Sequence, residues 1–171
     1  MKYRLTEETF QFGSHILHRI ECVTAFAHVK VGDKGGWIES EANLSQYGDA
    51  WVYGDARVYD DAKVYGNAWV CGDAKVYGNA KVCDSAEVYG NAEVCGDAKV
   101  CDNADYIVFK NWWSSGRYYT WTRSNNKWRV GCFYGTGEEL IAKAYKDSEV
   151  SGREYQRVVD YVNSILQEGK I

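Results

Sequence analysis

From Gly48 to Ala104 apolar and polar positions follow a six-residue phrase that never loses step. Valine recurs at Val52, Val58, Val64, Val70, Val76, Val82, Val88, Val94 and Val100, and alanine stands two residues before each. Ala and Val therefore point one way and the residue between them points the other, the period-2 mark of a strand with one buried face. Between strands lie Gly-Asp, Gly-Asn, Asp-Asp, Asp-Ser or Asp-Asn, residue types that tolerate a left-handed backbone. Each phrase thus predicts a short strand and a corner, and three of them close a triangular coil of eighteen residues. So short a period fixes a solenoid whose repeats bury their apolar side only against one another. Ile38 with Ala42 and Leu44 with Gly48 carry the pattern backwards, with a two-residue insertion before Val52. About four coils result, the last ending near Tyr106 or Ile107.

The flanks lack this period. Tyr3–Leu5, Thr9–Phe12, His15–Val23 and His28–Val31 read as strands, and residues 1–36 as an irregular β cap over the open first coil. Residues 37–105 form the solenoid. In residues 106–171, Tyr106–Lys110 reads as a strand, and Arg117–Arg123 with Lys127–Phe133 as a hairpin around Ser124-Asn125-Asn126. Thr136 followed by Glu139 is a capping box before a first helix. Tyr155, Val158, Val159, Val162, Ile165 and Leu166 share one face of a second. The expected fold is mainly β, a coil of about four turns between an N-terminal β cap and a C-terminal α+β cap.

The repeat resembles the hexapeptide-repeat family of left-handed parallel β-helices, in which an aliphatic residue is followed four later by a small one. Val64 with Ala68 and Val76 with Ala80 match that pattern. The layout of the whole chain is also similar to uncharacterised phage and prophage proteins. Those carry a stretch like Gly35-Gly36-Trp37-Ile38-Glu39-Ser40-Glu41-Ala42-Asn43-Leu44-Ser45, then a hexapeptide array, then a segment like Gly131-Cys132-Phe133-Tyr134-Gly135-Thr136. The resemblance implies a phage or mobile-element origin and no particular activity.

Composition narrows the classes. The 171 residues include no proline, which suits a hydrogen-bonded β structure because proline cannot donate to a ladder. The net charge of −4 argues against generic DNA binding and membrane attachment. No segment reads as a signal peptide or membrane span, so a cytoplasmic protein is expected, in the host cytoplasm if phage-encoded. Most of the six cysteines occupy one outward slot of the repeat. Cys83 and Cys101 should stack about 4.8 Å apart; free thiols are expected there in a reducing compartment, a bridge being the alternative.

Residues eighteen apart share a column on the coil surface. The first face carries Trp51, Trp69 and Glu87 beside Tyr53, Cys71 and Tyr89. Exposed aromatic ladders mark contact surfaces, and Trp51, Tyr53, Trp69 and Tyr89 are the expected interface of a homo-oligomer, trimer or dimer. The alternative is that the N-terminal segment covers the tryptophans. The third face carries Lys63, Lys81 and Lys99, three ammonium groups on successive rungs that either hold an anion or splay toward corner aspartates. Corner geometry accounts for the aligned Asp55/Asp73 and Asp84/Asp102, and no metal is expected. In the C-terminal cap Trp112, Trp113, Arg117, Tyr119, Trp121 and Arg123 cluster. Arg117, Tyr119, Trp121 and Arg123 alternate onto one strand face, a pattern able to stack a base and hold phosphates. The alternative is a cap core built of aromatics.

Hexapeptide-repeat acyltransferases use a histidine base on or near the coil, and the zinc carbonic anhydrases of that fold need three histidines there. Residues 37–114 contain none; His15, His18 and His28 are N-terminal, and the first two face opposite sides of a strand. No catalytic residue and no cofactor is expected. The reading is a phage-type binding protein that engages or sequesters a host component, a defence protein or a nucleotide messenger, on a rigid oligomeric stem. An acyltransferase-like enzyme and a purely structural oligomer are the alternatives.

Overall fold

The computed structural model describes residues 1–169 and divides into two compact units, Met1–Asn103 and the residues from Ala104 onward. The first is a β-solenoid of about four turns. Strands β4 (Trp51–Val52), β7 (Trp69–Val70) and β10 (Glu87–Val88) stack in parallel on one face. Strands β6 (Lys63–Val64), β9 (Lys81–Val82) and β12 (Lys99–Val100) stack on another. The remaining face holds β5 (Arg57–Val58), β8 (Lys75–Val76) and β11 (Glu93–Val94). From Trp51 onward the register is eighteen: Trp51 opposes Trp69, Lys63 opposes Lys81, Arg57 opposes Lys75. In the first coil Ile38 pairs with Val58 and Leu44 with Val64, twenty apart, as the inserted pair of residues requires.

The core is the Ala–Val alternation made solid. Ala50 to Ala98 and Val52 to Val100 are at most 1% exposed. Burying each valine is worth roughly 1.5–3 kcal/mol before chain entropy is charged. Corners turn on left-handed residues: Gly54, Gly72 and Gly90 at φ near 67°, with Asp60 (57°) and Asp84 (54°) adopting the same conformation without being glycine.

The N-terminal segment departs from the sequence expectation in two ways. Tyr3–Leu5 and Thr9–Phe12 are one strand, β1 (Tyr3–Phe12), bulged between Leu5 and Thr9. His28–Val31 is no strand; Phe26 and Val29 form an isolated bridge. Strand β1 pairs with β2 (His15–Cys22), which pairs antiparallel with β3 (Lys34–Ile38), and β3 joins β5 in parallel, so the hairpin extends one coil face into a six-stranded sheet. Phe12 meets Tyr59 edge-on, and the Arg57 guanidinium lies 4.7 Å from the Phe12 ring.

The second unit is an antiparallel sheet of β13 (Tyr106–Lys110), β14 (Tyr118–Thr122), β15 (Lys127–Val130) and β16 (Phe133–Gly135), followed by α1 (Gly137–Asp147) and α2 (Glu149–Gln167). The capping box forms: Thr136 N–H donates to Glu139 Oε2 at 2.8 Å, and Glu139 N–H to Thr136 Oγ1 at 3.2 Å. Ser148 ends one helix through its N–H on Ala144 O and starts the next by accepting from Ser151 N–H. Tyr119, Trp121, Trp128, Leu140, Tyr155, Val159 and Val162 are the core. No described helix is long and apolar enough to cross a membrane.

Candidate functional site

The lysine column stands where the repeat puts it. Lys63, Lys81 and Lys99 are exposed and in register on consecutive rungs. With the corner residues Asp61, Asn79 and Asp97 they line a shallow groove of about 470 Å³. Each rung sets an amine beside a carboxylate or an amide, so two parallel columns, one of donors and one mainly of acceptors, run along the groove at a repeat of about 4.8 Å. By contrast, like charges on the neighbouring face are interrupted: Lys75 Nζ donates to Glu93 Oε1 at 2.8 Å across one rung.

The aromatic face is only partly free. Trp51 is 2% exposed because Tyr3 and Phe26 pack edge-on against it, at 6.3 and 5.4 Å between ring centroids. It is therefore a core residue, which corrects its assignment to an interface; the N-terminal segment covers it. Trp69 is half-buried and meets Tyr53 edge-on at 5.5 Å. Tyr53 and Tyr89 remain exposed. Beside them His28, Val29, Asp33 and Lys34 border a depression of about 340 Å³ floored by Trp51, Tyr53 and Trp69. The Tyr53 hydroxyl is pushed up to about 12 by its hydrogen bond with Cys71, with burial adding to the effect.

The cap cluster separates. Tyr119 and Trp121 are buried in the core, and burial pushes the Tyr119 phenol well above its ordinary value. Trp113 packs edge-on against Tyr155 at 4.9 Å. These rings cannot serve as a stacking platform. Arg117 and Arg123 are exposed but flank opposite ends of β14. Five residues of strand lie between them, a span of about 20 Å, too far for one small anion. Trp112 alone of the cluster presents a largely exposed ring, at 73%. The alternation along the strand was legible; which face the helices would cover was not.

Cys83 and Cys101 are joined in a disulfide with Cα atoms 4.5 Å apart, in place of the expected free thiols. The stacking that aligns them is the cause: the separation lies within the bridging range.

One constellation escaped the sequence reading. His15 and His18 do part, His18 Nδ1 lying 3.3 Å from Thr6 O. But His15 lies over the coil corner, with Nδ1 3.1 Å from Glu39 Oε1 and Nε2 3.6 Å from Asp60 Oδ1. Burial would raise the Glu39 carboxyl, yet hydrogen bonds from His15 and from the Asp60 N–H outweigh it and hold Glu39 below the usual range. A histidine thus does reach the coil surface, brought by the hairpin. The available signal was Asp60, which breaks the Gly-Asp rhythm at its corner.

No protein-family profile matches the chain. A stretch of 60 residues is 37% identical to an uncharacterized acetyltransferase, YdcK, of Escherichia coli (strain K12). The match takes in 30% of this chain and 18% of that protein, so the chain spans less than a fifth of the curated relative.

Proposed function

We propose that the chain is a non-catalytic binding protein: a rigid solenoid stem that engages an anionic partner along the lysine groove and self-associates through the Tyr53–Trp69–Tyr89 face. The observation that carries the reading is the in-register column of Lys63, Lys81 and Lys99 lining one groove. Three amines one rung apart present a line of positive charge that an elongated anion, a polyphosphate or an extended acidic segment, can lie along. The wider reading, a phage-type protein that sequesters a defence protein or a nucleotide messenger of its host, rests on the likeness of the chain's layout to phage proteins and on this groove.

The test is a thermal-shift and anisotropy panel of nucleotides, inorganic polyphosphate and acidic peptides. Binding that falls at least tenfold in Lys81→Glu is expected. A panel without any response would favour a purely structural protein.

A second reading is favoured by the similarity to an acetyltransferase and by His15, which lies on the coil beside an orienting carboxylate. In that reading His15 takes a proton from an acyl acceptor while Glu39 holds the ring. Incubation with acyl-CoA donors, followed by mass spectrometry, decides between them: turnover that His15→Gln abolishes would replace the binding reading.

A further inference from the structure

His15, Glu39 and Asp60 reach one point from three segments: the start of β2, the residue after β3 and the corner after Tyr59. The main chain pins one oxygen of each carboxylate. Glu39 Oε2 accepts from Asp60 N–H at 2.8 Å, and Asp60 Oδ2 accepts from Gly78 N–H at 3.0 Å. The other two oxygens, Oε1 and Oδ1, face the imidazole. The Tyr59 ring, 4.9 Å from the imidazole between centroids, limits its rotation.

A ring that donates Nδ1–H to Glu39 presents Nε2 as a lone pair. In that tautomer the lone pair looks at a carboxylate oxygen 3.6 Å away, and two acceptors oppose each other unless a cation or a proton lies between them. The separation is longer than a hydrogen bond. It is close to the edge of about 3.4 Å between two donors around a tetrahedral ion with bonds of about 2.0–2.2 Å. A carboxylate on the far nitrogen is the usual orienting group of a metal-bound histidine.

We propose that His15 Nε2 and Asp60 Oδ1 bind a first-row divalent cation of the zinc class, with Glu39 orienting the ring. Mixed imidazole and carboxylate donors select such ions over calcium, which takes oxygen ligands throughout. The three side chains are 26%, 32% and 37% exposed, so water or a donor atom of a bound partner completes the shell. An ion there would fasten the hairpin to the coil corner and occupy the nitrogen that an acyl-transfer base would need.

The test is calorimetric titration of the metal-stripped chain with Zn²⁺, repeated with Co²⁺, whose visible bands report ligand geometry. The exposed Cys132 is replaced by Ser throughout so that its thiolate does not compete. One ion per chain is expected. Asp60→Asn keeps the left-handed corner and an acceptor for Gly78 N–H, so the fold is preserved while affinity falls at least tenfold. His15→Gln should do the same, and Glu39→Gln should weaken binding about 10–100-fold. Unchanged affinity in Asp60→Asn overturns the site. So does a stripped chain that takes up no ion at millimolar concentration; nitrogen NMR of His15 showing Nε2–H would then identify a proton as the occupant.

Discussion

Lys2 buries its amine against two carbonyl oxygens of the first corner, donating to Gly48 O at 3.2 Å and Ala50 O at 2.7 Å. Burial lowers its pKa from 10.5 to about 8, with Asp49 and Cys22 opposing the shift. Below pH 8 the folded and unfolded chains both carry the proton and the burial penalty is full. Between about 8 and 10.5 the unfolded chain binds more protons, so stability rises with pH and the penalty fades. The stability of wild type relative to Lys2→Met should therefore climb across that window, as followed by urea unfolding at a series of pH values; a flat difference would remove the assignment. The aromatic residues of the cap teach a second lesson at this scale. A dense run of Trp, Tyr and Arg reads equally well as a ligand platform or as a core, and only the packing of α1 and α2 on Tyr119 and Trp121 decides it.

At the scale of the element, the hexapeptide strand and its corner were legible because their period leaves no alternative. From Ala50 to Val100 every inward position is Ala or Val, and every corner from Gly48 to Gly96 turns on a residue with positive φ. Two variants probe the two halves of that rule. Val76→Ala hollows the middle of the stack and should cost roughly 2–3 kcal/mol. Gly72→Ala must hold φ +67° with its Cβ 3.1 Å from Gly90 N, and should cost about 1–2 kcal/mol. Denaturant midpoints of both against wild type check the values; a neutral Gly72→Ala would contradict the corner. In the cap Thr136→Ala removes the N-cap acceptor and should cost about 1 kcal/mol. What the strands did not announce was where the hairpin tip would land. His15 meets Glu39 and Asp60 through pairing of β2 with β3 and of β3 with β5, contacts that no local pattern encodes.

At the scale of the whole molecule, the surfaces of the array follow from the eighteen-residue register, and the His15 cluster from the twenty-residue step between β3 and β5. The lysine groove, the Tyr53–Trp69 pair and the His15 cluster all depend on which residues stand one rung apart. Self-association through the aromatic face should give a dimer or trimer in light scattering, and Tyr89→Lys should shift it toward monomer; a monomeric wild type removes that part of the reading. The register itself has a more direct test. Among the cysteines of the array only Cys83 and Cys101 are eighteen apart. Mild oxidation, followed by proteolysis without reductant and fragmentation mass spectrometry, should recover the Cys83–Cys101 pair. Recovery of Cys71–Cys83 or Cys95–Cys101 instead would mean that the chain does not wind with this repeat, and the columns on its surface would be lost with it.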